Sequence, residues 1–120
     1  MRLEFYPVEN LKKEIIKIIG KYLDLNSCRL FFFGSRVIGK GDDRSDIDIG
    51  IEGPKEIPYE KMASIKEEIE NLPILYKIEI VDFKKTSDDF RKVAFQSIES
   101  IIYDKIWSNI ETIWKRLKTI

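Results

Sequence analysis

The hydrophobic positions of this chain follow two periods in turn. Leu11, Ile15, Ile18, Ile19, Tyr22 and Leu23 recur at helical spacing, with Lys and Glu between them, so the spacing predicts a helix over 8–24 with one buried face. Residues 29–33, R-L-F-F-F, form a continuous apolar run that predicts a buried strand ending at Gly34. Residues 46–51 alternate strictly, with Ile47, Ile49 and Ile51 on one face and Asp46, Asp48 and Gly50 on the other, which predicts a second strand. Gly53-Pro54 and Pro58 mark a loop. A second helix is expected over 59–71, with Met62, Ile65 and Ile69 inward, and Pro73 interrupts the chain again. Residues 75–83 predict a third strand. Ser87 followed by Asp88 and Asp89 predicts a helix start, because a capping hydroxyl and an acidic first turn suit the free amides there. That helix is expected to run over about 88–103. Beyond it, 104–118 places Ile106, Trp107, Ile110, Ile113, Trp114 and Leu117 on one helical face.

This order predicts an α+β domain, a small sheet with helices on one side. The 120 residues fit a single domain, 1–120, with its chemistry concentrated in about 30–83 and a helical C-terminal segment over about 88–118. The 21 basic and 21 acidic residues balance, which argues against a general nucleic-acid coat but leaves room for a local anion or metal site. With one cysteine and no histidine, an intrachain disulfide, a Cys/His zinc cage and every His-based catalytic arrangement are excluded. Acid–base or metal chemistry then rests on carboxylates, Lys, Tyr or the backbone. The N-terminus lacks an apolar signal core and no run approaches a membrane span, so a soluble cytoplasmic protein is expected.

The candidate chemistry lies between the first two strands and on the third. Asp46 and Asp48 share a strand face, about 7 Å apart at Cα, where the carboxylates repel unless a cation separates them. The isoleucines opposite fix the register, so the aspartates cannot turn away. Hard oxygen donors suit Mg²⁺. Gly34-Ser35 directly follows a buried strand, where free amides and a hydroxyl can cradle phosphate. Arg36 and Arg44 flank that loop as candidate phosphate partners. Glu79 sits between Ile78 and Ile80, while Asp82 points to the opposite face. If Glu79 faces the aspartate pair, three carboxylates converge in the manner of a metal site for phosphoryl or nucleotidyl transfer. Each piece alone also has an ordinary structural explanation: a solvated strand face, a turn with a helix cap, surface arginines, and an edge-strand charge that deters pairing.

Taken together, Gly34-Ser35-Arg36, Gly39 and Ser45-Asp46-Ile47-Asp48-Ile49 resemble the G-S and D-x-D signature of the DNA polymerase β-like nucleotidyltransferase superfamily. The short length and the G-S-R-x-x-G form are similar to its minimal nucleotidyltransferase (MNT) members. The resemblance covers about Leu30 to Phe83 and implies a small mixed sheet of nucleotidyltransferase type packed against helices. It implies that Gly34 and Ser35 hold the phosphates of a nucleoside triphosphate such as ATP, and that Asp46, Asp48 and a third carboxylate bind two Mg²⁺ ions. The third position is commonly Asp in the minimal members; the matching segment here places Glu79 there, one methylene longer.

The resemblance also implies a partner. Similar MNT proteins act as antitoxins to HEPN-domain toxins, and some transfer AMP from ATP to a tyrosine of the toxin. A chain this short has no separate acceptor-binding domain, so the acceptor is expected on another chain. The Trp107 and Trp114 stripe either offers the docking surface or closes the domain's own core. Membrane association and direct nucleic-acid binding are not expected; a homo- or hetero-oligomer is compatible with the pattern. Two other readings remain open at this point. One is an inactive MNT-fold antitoxin that neutralises its partner by binding. The other is a nucleotidyltransferase for small hydroxylated molecules.

Overall fold

A computed structural model describes residues 1–39 and 44–102. In chain order they form α1 (Val8–Ile19), β1 (Arg29–Phe33), β2 (Ile47–Glu52), α2 (Tyr59–Glu70), β3 (Ile78–Asp82), a short 3-10 turn (Phe83–Lys85), α3 (Asp88–Ala94) and β4 (Glu99–Ile102). The strands make one sheet in the order β3-β2-β1-β4. β1 pairs antiparallel with both β2 and β4, whereas β2 and β3 run parallel, joined by the crossover through α2.

The alternation in β2 sets the two faces. Ile47, Ile49 and Ile51 are fully buried beneath α1 and α2, where they join Leu11, Ile15 and Ile65 in the main core. Each such side chain contributes about 1.5–3 kcal/mol on burial. A one-residue slip of β2 would therefore expose all three isoleucines and bury the aspartates. Cys28 belongs to the same core, and burial pushes its thiol pKa up, as expected for a packing residue. Asp82, only 6% exposed, lies on this face. Its carboxylate accepts the N–H of Ile57 at 2.8 Å and of Lys84 at 3.0 Å, which fastens the loop before α2 and starts the 3-10 turn.

The opposite face carries a smaller aromatic core. Phe31, Phe33 and Phe83 are buried there, and Phe31 and Phe83 meet edge to face at 4.7 Å. Phe90 of α3 and Phe95 just after it close over Phe83 at 5.7 and 5.3 Å. Gly50 makes room for this cluster: a Cβ there would lie 2.4 Å from the Phe31 ring and 2.7 Å from that of Phe83.

Three expectations are corrected. α1 ends at Ile19, not at 24, and Tyr22 and Leu23 pack from the following turn. The helix expected over 88–103 stops at Ala94, and 99–102 form a strand. The Ser87 cap is as anticipated, accepting the Phe90 N–H at 3.1 Å. The C-terminal half is overridden by sheet pairing: β1 has a second edge to satisfy, and the β-branched pair Ile101-Ile102 suits a strand beside it. The helices also do not all lie on one side, because α3 packs against the aromatic face. The helix expected over 104–118, with its Trp107 and Trp114 stripe, lies outside the described residues. No described helix is long and apolar enough to cross a membrane.

Candidate nucleotidyl-transfer site

The chemistry-bearing residues gather at one end of the sheet, where β1 ends and β2 and β3 begin. Phe33 pairs with Asp48 across the antiparallel ladder, and Asp48 pairs with Glu79 across the parallel one. Paired residues share a face, so Asp48 and Glu79 project to the same side, opposite the isoleucine core. Asp46 precedes β2 by one residue and lies two before Asp48.

Gly34 follows β1 with φ +84°, in the left-handed region that favours glycine. Its missing side chain has a second use. A Cβ at Gly34 would sit 2.2 Å from Oδ2 of Asp48, so the loop backbone and the carboxylate are in close approach. Residues 35–39 form a turn in which the amides of Val37 and Ile38 donate to the Gly34 carbonyl at 3.1 and 3.4 Å. Gly39 closes it, also in the left-handed region at φ +77°.

Asp48 is electrostatically crowded. Its carboxyl pKa is raised from 3.8 to about 6, first by burial, then by the charge of Glu79, then by that of Asp46. Asp48 thus feels both of the other carboxylates, one on its own strand segment and one on β3. The three are not drawn into a cage: among the described residues no group of three His, Cys, Asp or Glu stands ready to hold a metal. The donor set nevertheless suits Mg²⁺. It consists of oxygen ligands alone, and a cation would relieve the repulsion that raises Asp48.

The arginines differ in placement. Arg44 is exposed, whereas Arg36 turns back toward the chain, its Nε donating to the Ser45 carbonyl at 2.8 Å. The Arg36 guanidinium also lies 4.9 Å from the centroid of the Tyr76 ring. Tyr76 carried no motif and was missed by sequence reasoning. So was a groove of about 350 Å³ beside Gly34 and Ser35, walled by Phe33, Ile38, Phe90 and Val93. Ile38 and the α3 residues Phe90 and Val93 are exposed large apolar side chains on two distant segments that only the fold brings together.

Comparison with known proteins gives the family and supports the fold. Residues 13–106 match the family described as Polymerase beta, Nucleotidyltransferase. The chain is 26% identical over 98 residues to the probable protein adenylyltransferase MntA of Haemophilus influenzae, covering 80% of this chain and 85% of that one. Among solved structures, it resembles a toxin–antitoxin complex with AMP-PNP, with TM-score 0.65, 14% identity and 90% of each chain covered. It also resembles the complex of a tri-AMPylated HEPN toxin of Shewanella oneidensis with its MNT antitoxin, with TM-score 0.60, 14% identity, and 92% and 90% of the two chains covered.

Proposed function

The chain belongs to the Polymerase beta, Nucleotidyltransferase family, and we propose that it is a cytoplasmic, single-domain, Mg²⁺-dependent protein adenylyltransferase. In this reading it transfers AMP from ATP to a tyrosine hydroxyl of a HEPN-type toxin and thereby acts as its antitoxin. The observation that carries the reading is the register of Asp48 against Glu79, with Gly34 closed against the same carboxylate. This register supports the reading because it sets two carboxylates on one face beside the turn at Gly34. The MntA relative and the tri-AMPylated toxin complex support the choice of a protein acceptor.

Each residue then has a task. The Gly34-Ser35 turn brings backbone amides and the Ser35 hydroxyl to the triphosphate, with Arg44 near enough in sequence to Asp46 to offset its charge. The apolar groove walled by Phe33, Ile38, Phe90 and Val93 takes the nucleoside. Asp46, Asp48 and Glu79 would hold Mg²⁺, which when bound supplies charge neutralisation at the phosphates and lowers the cost of the developing alkoxide. Glu79, exposed at the edge of the sheet, is placed to accept the proton of the incoming hydroxyl. The hydroxyl oxygen bonds to the α-phosphorus, the bond from that phosphorus to the bridging oxygen breaks, and pyrophosphate departs with the electron pair.

The test is incubation with α-³²P-labelled ATP, Mg²⁺ and a HEPN-domain protein encoded beside this chain. Label on the partner, absent with Asp46→Asn/Asp48→Asn, is the expected result. A stable complex without label would overturn the enzymatic reading in favour of neutralisation by binding.

A further inference from the structure

Resting on that reading, we propose that Arg36 is a positioning residue: a brace that fixes the phosphate loop against both carboxylate strands without touching the nucleotide. Arg36 follows Ser35 directly. Its Nε donates at 2.8 Å to the carbonyl of Ser45, the residue before Asp46. Its guanidinium carbon stands 4.9 Å from the centroid of Tyr76, which leads into the strand bearing Glu79. One side chain therefore links the neighbours of Ser35 and of Asp46 with the approach to Glu79.

The chemistry of each contact suits a brace. A guanidinium is planar and permanently charged, so it can lie on an aromatic ring and donate in its own plane at once. Tyr76 is itself held. It is buried in the main core, and its hydroxyl accepts the N–H of Phe5 at 2.9 Å. The Nη2 atom of Arg36 is buried without a hydrogen-bond partner among the described residues, so this end of the fork faces protein and not solvent. An arginine meant for phosphate would instead present its fork to the open groove.

The predicted kinetic effect follows from geometry. Without the brace, the loop carrying Ser35 and the strands carrying the carboxylates lose their common reference. A displacement of about 1 Å in such an arrangement costs on the order of 100-fold in rate. The loss should fall mainly on kcat, since the groups that bind ATP are all still present.

The experiment compares Arg36→Ala, Arg36→Lys, Tyr76→Leu, Tyr76→Phe and the Arg36→Ala/Tyr76→Leu double variant in the full chain. Adenylyl transfer gives kcat and KM for ATP, and amide hydrogen exchange of the ATP-free protein reads residues 35–39 and 44–46. Arg36→Ala and Tyr76→Leu are each expected to lower kcat roughly 10- to 100-fold with KM changed by less than about threefold. The double variant should be no worse than Arg36→Ala alone, because Tyr76→Leu removes only the ring contact, which Arg36→Ala already removes together with the Ser45 hydrogen bond. Arg36→Lys should not restore the rate, whereas Tyr76→Phe, which keeps the ring, should stay near wild type and shows that the core tolerates the change. Exchange should quicken in both loops together. The proposal is overturned if Arg36→Ala chiefly raises KM while Tyr76→Leu is silent, the pattern of direct phosphate contact. It is also overturned if loop exchange is unchanged. Should the wild-type chain transfer no AMP, the functional reading falls, and the exchange result still decides the brace.

Discussion

Replacing Asp48 by Asn should make the metal-free protein more stable while abolishing its activity. The folded chain holds the Asp48 proton more tightly than the unfolded chain does, since the carboxyl pKa is raised from 3.8 to about 6. Below about pH 3 the group is neutral in both states and contributes no difference, and at pH 4 only a small part of the penalty has developed. As pH rises through the window between 3.8 and about 6, the unfolded chain ionises first, and folding stability declines. Above that window the full penalty persists. The shift of 2.2 pH units (6 less 3.8) corresponds to about 3 kcal/mol without screening. The side chain is only half-buried, so solvent screening reduces this to about 1–1.5 kcal/mol. Asn has the same shape and no charge, so Asp48→Asn should recover that amount at pH 7.5, a rise in Tm of roughly 3–6 °C for a domain this size. Calorimetric melting with EDTA at pH 4 and pH 7.5 gives the comparison. The two proteins should nearly coincide at pH 4 and separate at pH 7.5, and added Mg²⁺ should raise the Tm of wild type alone. A variant no more stable than wild type at pH 7.5, or a gap of the same size at pH 4, would refute the electrostatic account.

Other substitutions separate the site from its scaffold. Gly34→Ala forces a side chain onto a backbone at φ +84° and against the Asp48 carboxylate, so urea unfolding should show a loss of about 1–3 kcal/mol and transfer should fall at least tenfold. Gly50→Ala drives a methyl into the Phe31 and Phe83 rings; a loss of about 1–3 kcal/mol in urea is expected from overpacking. Asp82→Ala strands the buried N–H of Ile57 and should cost about 1–3 kcal/mol, with the rate constant of the remaining folded protein little changed. Glu79→Gln should do the reverse, leaving the urea midpoint near wild type because the side chain is exposed, while transfer drops about 100-fold or more.

What the sequence made legible depended on how far each signal reached along the chain. The β2 alternation was readable because its two faces meet such different surroundings, and all three of its isoleucines are fully buried. The same alternation placed Asp48 correctly, and the opposed faces of Glu79 and Asp82 followed from the same rule. Ser87 was readable as a cap because capping is settled within four residues. The strand at 99–102 was not, because its conformation is decided by β1, far away in sequence, and not by its own spacing. Tyr76 was hidden for a related reason. Its contact with Arg36 crosses from the turn after β1 to the approach of β3, and no local pattern marks Tyr76. Arg36 itself was noticed for its charge, whereas its placement depends on the planarity of its fork.

The parallel pairing of β2 with β3 also bears on how the protein comes to life. Ser35, Asp46 and Asp48 belong to a hairpin-like unit that neighbouring residues can assemble early. Glu79 joins only after the chain has passed through α2 and returned alongside β2, a non-local closure that is slow to form. A chain still emerging from the ribosome would therefore carry the Gly34-Ser35 turn and two carboxylates but not the third. The three carboxylates come together only at the step that also completes the sheet, so a chain made no further than α2 holds an incomplete set and lacks the Phe90 and Val93 wall of the groove as well.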